Sequence, residues 1–162
     1  MPPAAHRLSL LLLPADPERP VDFVERLFEA LEDGGWIDED GGPGPRPLVV
    51  GGFARARVER FDRVHFASSG QGGFAVRCPV TEQNVVAAFG RALEAWRAGG
   101  PRQLDCACGQ AHDLVELHYL PEAGFARGWI TLVDVQGVEL TADAHAEAER
   151  LLMGVRIVIR RG

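Results

Sequence analysis

Residues 8–14 read LSLLLLP, an apolar run cut off at Pro14 and followed at once by the polar stretch ADPERP. A membrane-spanning helix needs about 20 consecutive apolar residues, so a run this short does not reach across a bilayer. A secretory leader wants a basic stretch before its apolar core and a small-residue cleavage site after it. Only His6 and Arg7 stand immediately before the run, and a charged turn stands after it. The expectation is therefore a buried first strand, in a chain that stays in the cytoplasm.

The rest of the chain alternates helical and strand patterns. RPVDFVERLFEALEDGG (19–35) puts Val21, Val24, Leu27, Phe28 and Leu31 on one face at helical spacing, with Pro20 near the first turn and Gly34 past the end. TEQNVVAAFGRALEAWRAGG (81–100) predicts a second helix capped by Thr81, with Val85, Val86, Phe89, Leu93 and Trp96 as its apolar stripe. TADAHAEAERLLMG (141–154) predicts a third, capped by Thr141 and stopped at Gly154. Between them, PLVVGGF, ARARVERF, RVHFASS, GGFAVRCP, DLVELHYLP, GWITLVDV and VRIVIRRG carry β-branched or alternating apolar residues bounded by turn formers. These elements predict one α+β domain over residues 1–162. It has a mostly antiparallel sheet of about seven short strands, three helices on one face, and a flexible Gly/Pro loop over 37–47.

Charge narrows the partners. The formal net charge is −6, which opposes nonspecific attraction to nucleic acid or anionic membrane and is compatible with a basic protein partner. All 17 basic residues are arginine. Arg55, Arg57, Arg60 and Arg63 are interleaved with Phe53, Phe61 and Phe66, a pattern that single-stranded nucleic acid binders use. Glu59 and Asp62 interrupt the run, and a solvated strand face is the better expectation. Neither GGPGPRP nor SSGQGGF opens a helix after a strand, so neither fits a phosphate loop.

Three cysteines remain. An odd count argues against a disulfide framework. Cys78 sits in RCPVT before the second helix; Cys106 and Cys108 sit in CACG after it. Closely spaced thiolates on a tight turn point the same way, and a following Gly permits the positive φ such a turn needs. A structural zinc site wants four ligands. The three sulfurs leave a fourth to come from His112, His118 or Asp105, and His112, nearest in sequence, is the first choice. Two readings are weighed: a structural zinc on Cys78, Cys106, Cys108 and His112, and, favoured over it, a metal-free turn with the cysteines as small buried hydrophobes. A nucleophile set of Cys108, His112 and Asp113 can also be written, but no oxyanion-hole signature accompanies it.

The stretch from FAVRCPVTEQNVVAAF through LDCACGQAHDLVELHYLP to GWITLVDV (73–135) resembles a group of small bacterial proteins. In that group, knuckles of the form C-P-x-C and C-x-C-G-x-x-H flank an amphipathic helix. Cys78 and Pro79 match the first knuckle, and Thr81 stands where its second cysteine would be. Cys106, Cys108, Gly109 and His112 match the second. The family brings no reaction with it. With no catalytic set in the chain, the expected function is non-enzymatic protein binding, in the form of an immunity (antitoxin-like) protein that neutralises a toxin or effector. The alternative is a zinc-knuckle protein acting on nucleic acid or in transcription.

Overall fold

A computed structural model describes residues 7–69 and 74–161. The expected strand starts at His6 and Gly72, most of the SSGQGGF motif, and the last residue, Gly162, lie outside the described residues. The elements run β1 (Leu8–Pro14), α1 (Val21–Asp33), β2 (Arg55–Ala67), β3 (Ala75–Arg77), α2 (Val86–Arg97), β4 (Gln103–Asp105), β5 (Ala111–Asp113), a 3-10 turn (Leu114–Glu116), β6 (His118–Leu120), β7 (Gly124–Val133), α3 (Ala142–Leu152) and β8 (Val155–Arg161). The class is α+β and all the strand pairing is antiparallel. No helix among the described residues is long and apolar enough to cross a membrane.

The strands fall into a four-stranded sheet and two two-stranded ribbons, and the chain divides into two compact units, Met1–Gly70 with Ala123–Gly162, and Gln71–Glu122. The expectation of three helices over one sheet changes accordingly. α1 and α3 pack on the sheet, while α2 packs on β3, β4 and the 3-10 turn of the second unit.

The first unit carries the order β2-β7-β1-β8. In chain order it reads β1-α1-β2-β7-α3-β8, so each helix connects two parallel strands that lie either side of an antiparallel neighbour. This is the split βαβ, or ferredoxin-like, plan. β1 is central and buried on both faces, which is why it reads LLLL rather than alternating. Leu10 and Leu12 face α1 and α3, in a core with Val24, Leu27, Leu31, Ile130, Leu132, Ala144, Ala148 and Leu152. Leu11 and Leu13 face the other way, with Ala67, Ala126, Trp129 and Val158.

Two segments expected as separate strands, ARARVERF and RVHFASS, form one strand, β2, interrupted by a bulge: Arg60 pairs with Gly128, but the next pair is His65 with Ala126. Beyond it the β2–β7 pair swings onto the Leu11/Leu13 side, where the Ser68 and Ser69 carbonyls accept from the Arg160 side chain and the Arg161 backbone N–H. α1 lies so close to β7 at Gly128 that a Cβ there would come within 2.6 Å of Val21 Cγ2 and 2.8 Å of the Glu59 carbonyl oxygen.

PLVVGGF is not a strand. Leu48 and Val49 are buried, but Val49 makes only a single bridge to Leu140, and the chain turns at Val50–Gly51. The 37–47 segment has no helix or strand, as its composition leads one to expect, yet it is closely tied. The Asp38 carboxylate accepts from the backbone N–H groups of Asp40 and Gly42, and the Arg46 guanidinium lies 3.8 Å over the Trp36 ring.

In the second unit, β3 pairs with β6 and β4 pairs with β5. DLVELHYLP, expected as one strand, breaks into the end of β5, the 3-10 turn and β6. The Asp113 carboxylate accepts from Val115 N–H and turns the chain there. Val76, Cys78, Phe89, Leu93, Leu104, Leu114, Leu117 and Tyr119 are its buried apolar residues.

Candidate metal centre

All four expected donors meet. One ligand atom each from Cys78, Cys106, Cys108 and His112 lies within 4.8 Å of every other. His112 Nε2 is 3.6 Å from Cys78 Sγ and 3.3 Å from Cys108 Sγ. Bonds of about 2.3 Å to sulfur and about 2.0–2.1 Å to nitrogen, at tetrahedral angles, imply donor separations of about 3.8 Å (S···S) and about 3.5 Å (N···S). The side chains present fit a tetrahedral ion with small adjustments.

Each donor has a local reason for its position. β3 ends at Arg77, and the chain reverses over 78–83: Glu82 N–H donates to the Cys78 carbonyl and Cys78 N–H to the Gln83 carbonyl, at 2.9 Å each. The turn aims the N–H groups of Val80 and Thr81 at Cys78 Sγ, at 3.4 and 3.5 Å. This turn overrides the helix start expected at Thr81. α2 begins at Val86, where the Asn84 side chain accepts from the first helical N–H. Cys106 and Cys108 occupy the loop of the β4–β5 hairpin. That loop is closed by bonds from Cys106 N–H to Gln110 O and from Gly109 N–H to Cys106 O. Gly109 has φ +92°, the conformation for which a glycine was expected at this point. His112 follows on β5 opposite Leu104 and is nearly fully buried.

The electrostatics favour thiolate at one corner. The Thr81 hydroxyl, then the Thr81 and Val80 backbone N–H groups, hold the Cys78 thiol down from 9.0 to about 6, against the opposing effect of burial. Cys108 goes the other way. The Gln110 backbone N–H favours its thiolate, but desolvation and the neighbouring Cys106 and Cys78 sulfurs outweigh it and push the thiol up. Three crowded sulfurs without a cation cannot all ionise cheaply; a divalent cation reverses that balance.

The other candidates are not brought in. His118 is exposed and paired with Glu82 at 2.8 Å, and Asp105 is outside the cluster. The Cys108–His112–Asp113 nucleophile set does not form, because the Asp113 carboxylate takes two bonds from Arg102, at 2.9 and 3.2 Å, and one from Val115 N–H. Sequence reasoning missed two supports. One is Thr81, whose hydroxyl serves the sulfur of Cys78 from the place a second knuckle cysteine would take. The other is the Arg102–Asp113 pair, which ties together the two outer ends of the hairpin carrying three of the four donors. The signal for that pair was an opposite charge at each hairpin end. On β2, Arg57 pairs with Glu59 and Arg60 with Glu25, while Arg55 donates to the Asp40 carbonyl. The basic run is therefore largely engaged within its own unit.

Comparison with known proteins gives no match to any family model, curated protein or solved structure.

Proposed function

We propose that this chain is a non-enzymatic protein-binding module in which residues 74–122 are held by a structural zinc ion on Cys78, Cys106, Cys108 and His112. The convergence of these four donors within 4.8 Å carries the reading. Three thiolates and an imidazole are a borderline-soft set suited to zinc. Four protein ligands fill a tetrahedral shell and leave no position for substrate or activated water, the arrangement of structural rather than catalytic zinc. When bound, the ion supplies charge compensation and a cross-link between the Cys78 turn and the β4–β5 hairpin. The burial of Cys78 and His112, the amides aimed at Cys78 and the Arg102–Asp113 brace support a fixed centre.

The immunity-type role is the specific form of this reading in which the partner is a toxin or effector, and the net charge of −6 suits a basic one. The alternative, a zinc-knuckle protein acting on nucleic acid or in transcription, is the weaker reading, since a net charge of −6 opposes attraction to nucleic acid.

The test is metal content. Protein purified without chelator is expected to carry one zinc per chain by mass spectrometry, and Cys108→Ser to lose it. Wild-type protein without stoichiometric metal would overturn the reading.

A further inference from the structure

The four donors of the metal centre differ in their access to solvent. Cys78 and His112 are buried, whereas Cys106 and Cys108 are half-buried on the loop of the β4–β5 hairpin. Cys106 also lines a groove of about 410 Å³ between that loop and the start of α2, together with the exposed residues Val86, Ala87, Arg91 and Ala107. A small solute therefore reaches Cys106 without any opening of the unit's core. The Cys108 sulfur is held from two sides, by the Gln110 backbone N–H and by the His112 ring at 3.3 Å. The Cys106 side chain is within hydrogen-bonding reach of the Cys78 sulfur. The N–H groups of Val80 and Thr81 aimed at Cys78 suit it to react as a thiolate.

We infer that the metal centre is a redox switch, in which hydrogen peroxide expels zinc by joining Cys106 to Cys78 in a disulfide that holds the same two segments together. The Cys106 thiolate attacks one peroxide oxygen, the O–O bond breaks, and hydroxide leaves and takes a proton from solvent to become water. Cys106 is then a sulfenic acid. The Cys78 thiolate attacks the Cys106 sulfur, the S–S bond forms, and a second hydroxide leaves and is protonated to water. The two sulfurs together lose two electrons and the peroxide gains them, with no change in the charge of the ion. Only Cys108 and His112 then remain as donors, half of the shell that a structural zinc needs.

With three sulfurs, one bridge leaves one thiol, and the pairing decides the outcome. A Cys106–Cys108 bridge closes across Ala107 alone, inside a loop already fixed by the bonds from Cys106 N–H to Gln110 O and from Gly109 N–H to Cys106 O. Strained bridges are readily reduced, and this one would tie nothing beyond its own loop. A Cys78–Cys106 bridge starts from sulfurs already within 4.8 Å and spans the turn after β3 and the hairpin, the two segments that the ion joins. Closing so long a stretch of chain is where a disulfide stabilises most. The oxidised unit therefore keeps its fold without metal, which the reduced unit does not. This inference rests on the zinc reading proposed above.

The test treats the full-length, zinc-supplemented protein with excess hydrogen peroxide, after its zinc content has been measured. A chromogenic chelator is expected to read the loss of one zinc per chain. Alkylation followed by peptide mass spectrometry should find Cys78 joined to Cys106 and Cys108 alone alkylated. Hydrogen exchange of the oxidised, zinc-free protein should keep β3, α2 and β4–β6 protected, whereas chelation of the reduced protein exposes them. Dithiothreitol followed by zinc should restore one zinc per chain. The inference is overturned if peroxide leaves zinc in place, or if zinc leaves with any other bridge, a bridge between two chains, or sulfinic acids and no bridge. Loss of protection on oxidation would overturn it as well. Zinc that is missing at the outset is a failure of the metal reading and takes this inference with it, whereas zinc that is present but wrongly released is a failure of the switch alone.

Discussion

Replacing Cys108 by serine removes one of four donors and is expected to unfold the Gln71–Glu122 unit while leaving the sheet unit folded. That unit spans 52 residues. At about 0.05–0.15 kcal/mol per residue, a typical domain of that size has only about 3–8 kcal/mol of net stability. A structural zinc ion contributes about 10–16 kcal/mol in zinc-finger peptides near neutral pH, more than the whole of it. The sheet unit has its own core on both faces of β1 and places no residue in the metal shell. Hydrogen exchange of the variant should show β3, α2 and β4–β6 amides exchanging as in an unfolded chain, while β1, β7 and α1 stay protected. Calorimetry should agree. At about 0.7 kcal/mol per residue, the variant should lose roughly 35 kcal/mol of unfolding enthalpy and retain roughly 75 kcal/mol. Chelation of the wild type should give the same pattern. If the inserted unit keeps its protection, or both units lose theirs together, the division of labour is wrong.

The donors that hold the Cys78 thiol down from 9.0 to about 6 favour the thiolate that a metal needs, so zinc should stay bound at neutral pH and be released as pH falls below about 6, read as metal freed to a chromogenic chelator. Thr81→Val, which removes the hydroxyl serving Cys78 but no ligand, should move that release to higher pH while leaving zinc stoichiometry at one at neutral pH. Gly128→Ala should cost about 1–3 kcal/mol by forcing α1 off β7, a loss of several degrees in thermal midpoint. Leu12→Ala, at a fully buried site in the α1/α3 core, should cost about 3–5 kcal/mol.

Much of this was legible in the residues because it is local. The apolar run at 8–14 marked the central strand, and the periodicity of Val24, Leu27 and Leu31 marked the buried face of α1. The Cys-Ala-Cys-Gly phrase with His112 four residues beyond Cys108 marked three donors on one hairpin. What was hidden depends on partners distant in sequence. Nothing in ARARVERF and RVHFASS says that they continue as one strand, since the bulge is defined only by how β7 pairs with it. Thr81 looked like a helix cap because Ser and Thr hydroxyls favour such positions, yet a nearby sulfur competes for the same donor and backbone. The order β2-β7-β1-β8 was beyond reach, as it depends on pairings that span a 52-residue insertion.

That insertion enters and leaves the sheet unit at neighbouring points. Ala67 on β2 pairs with Gly124 on β7, and within the insertion Ala75 on β3 pairs with Leu120 on β6. A folded insertion therefore acts as a clasp. It leaves only about ten residues of connecting chain to be confined when β2 meets β7, instead of about 56 when the insertion is a coil, and by loop-closure entropy the difference is roughly 1.5 kcal/mol. An ion on Cys78, Cys106, Cys108 and His112 would thus strengthen the β2–β7 pairing without contacting either strand, by shortening the loop that this pairing has to close.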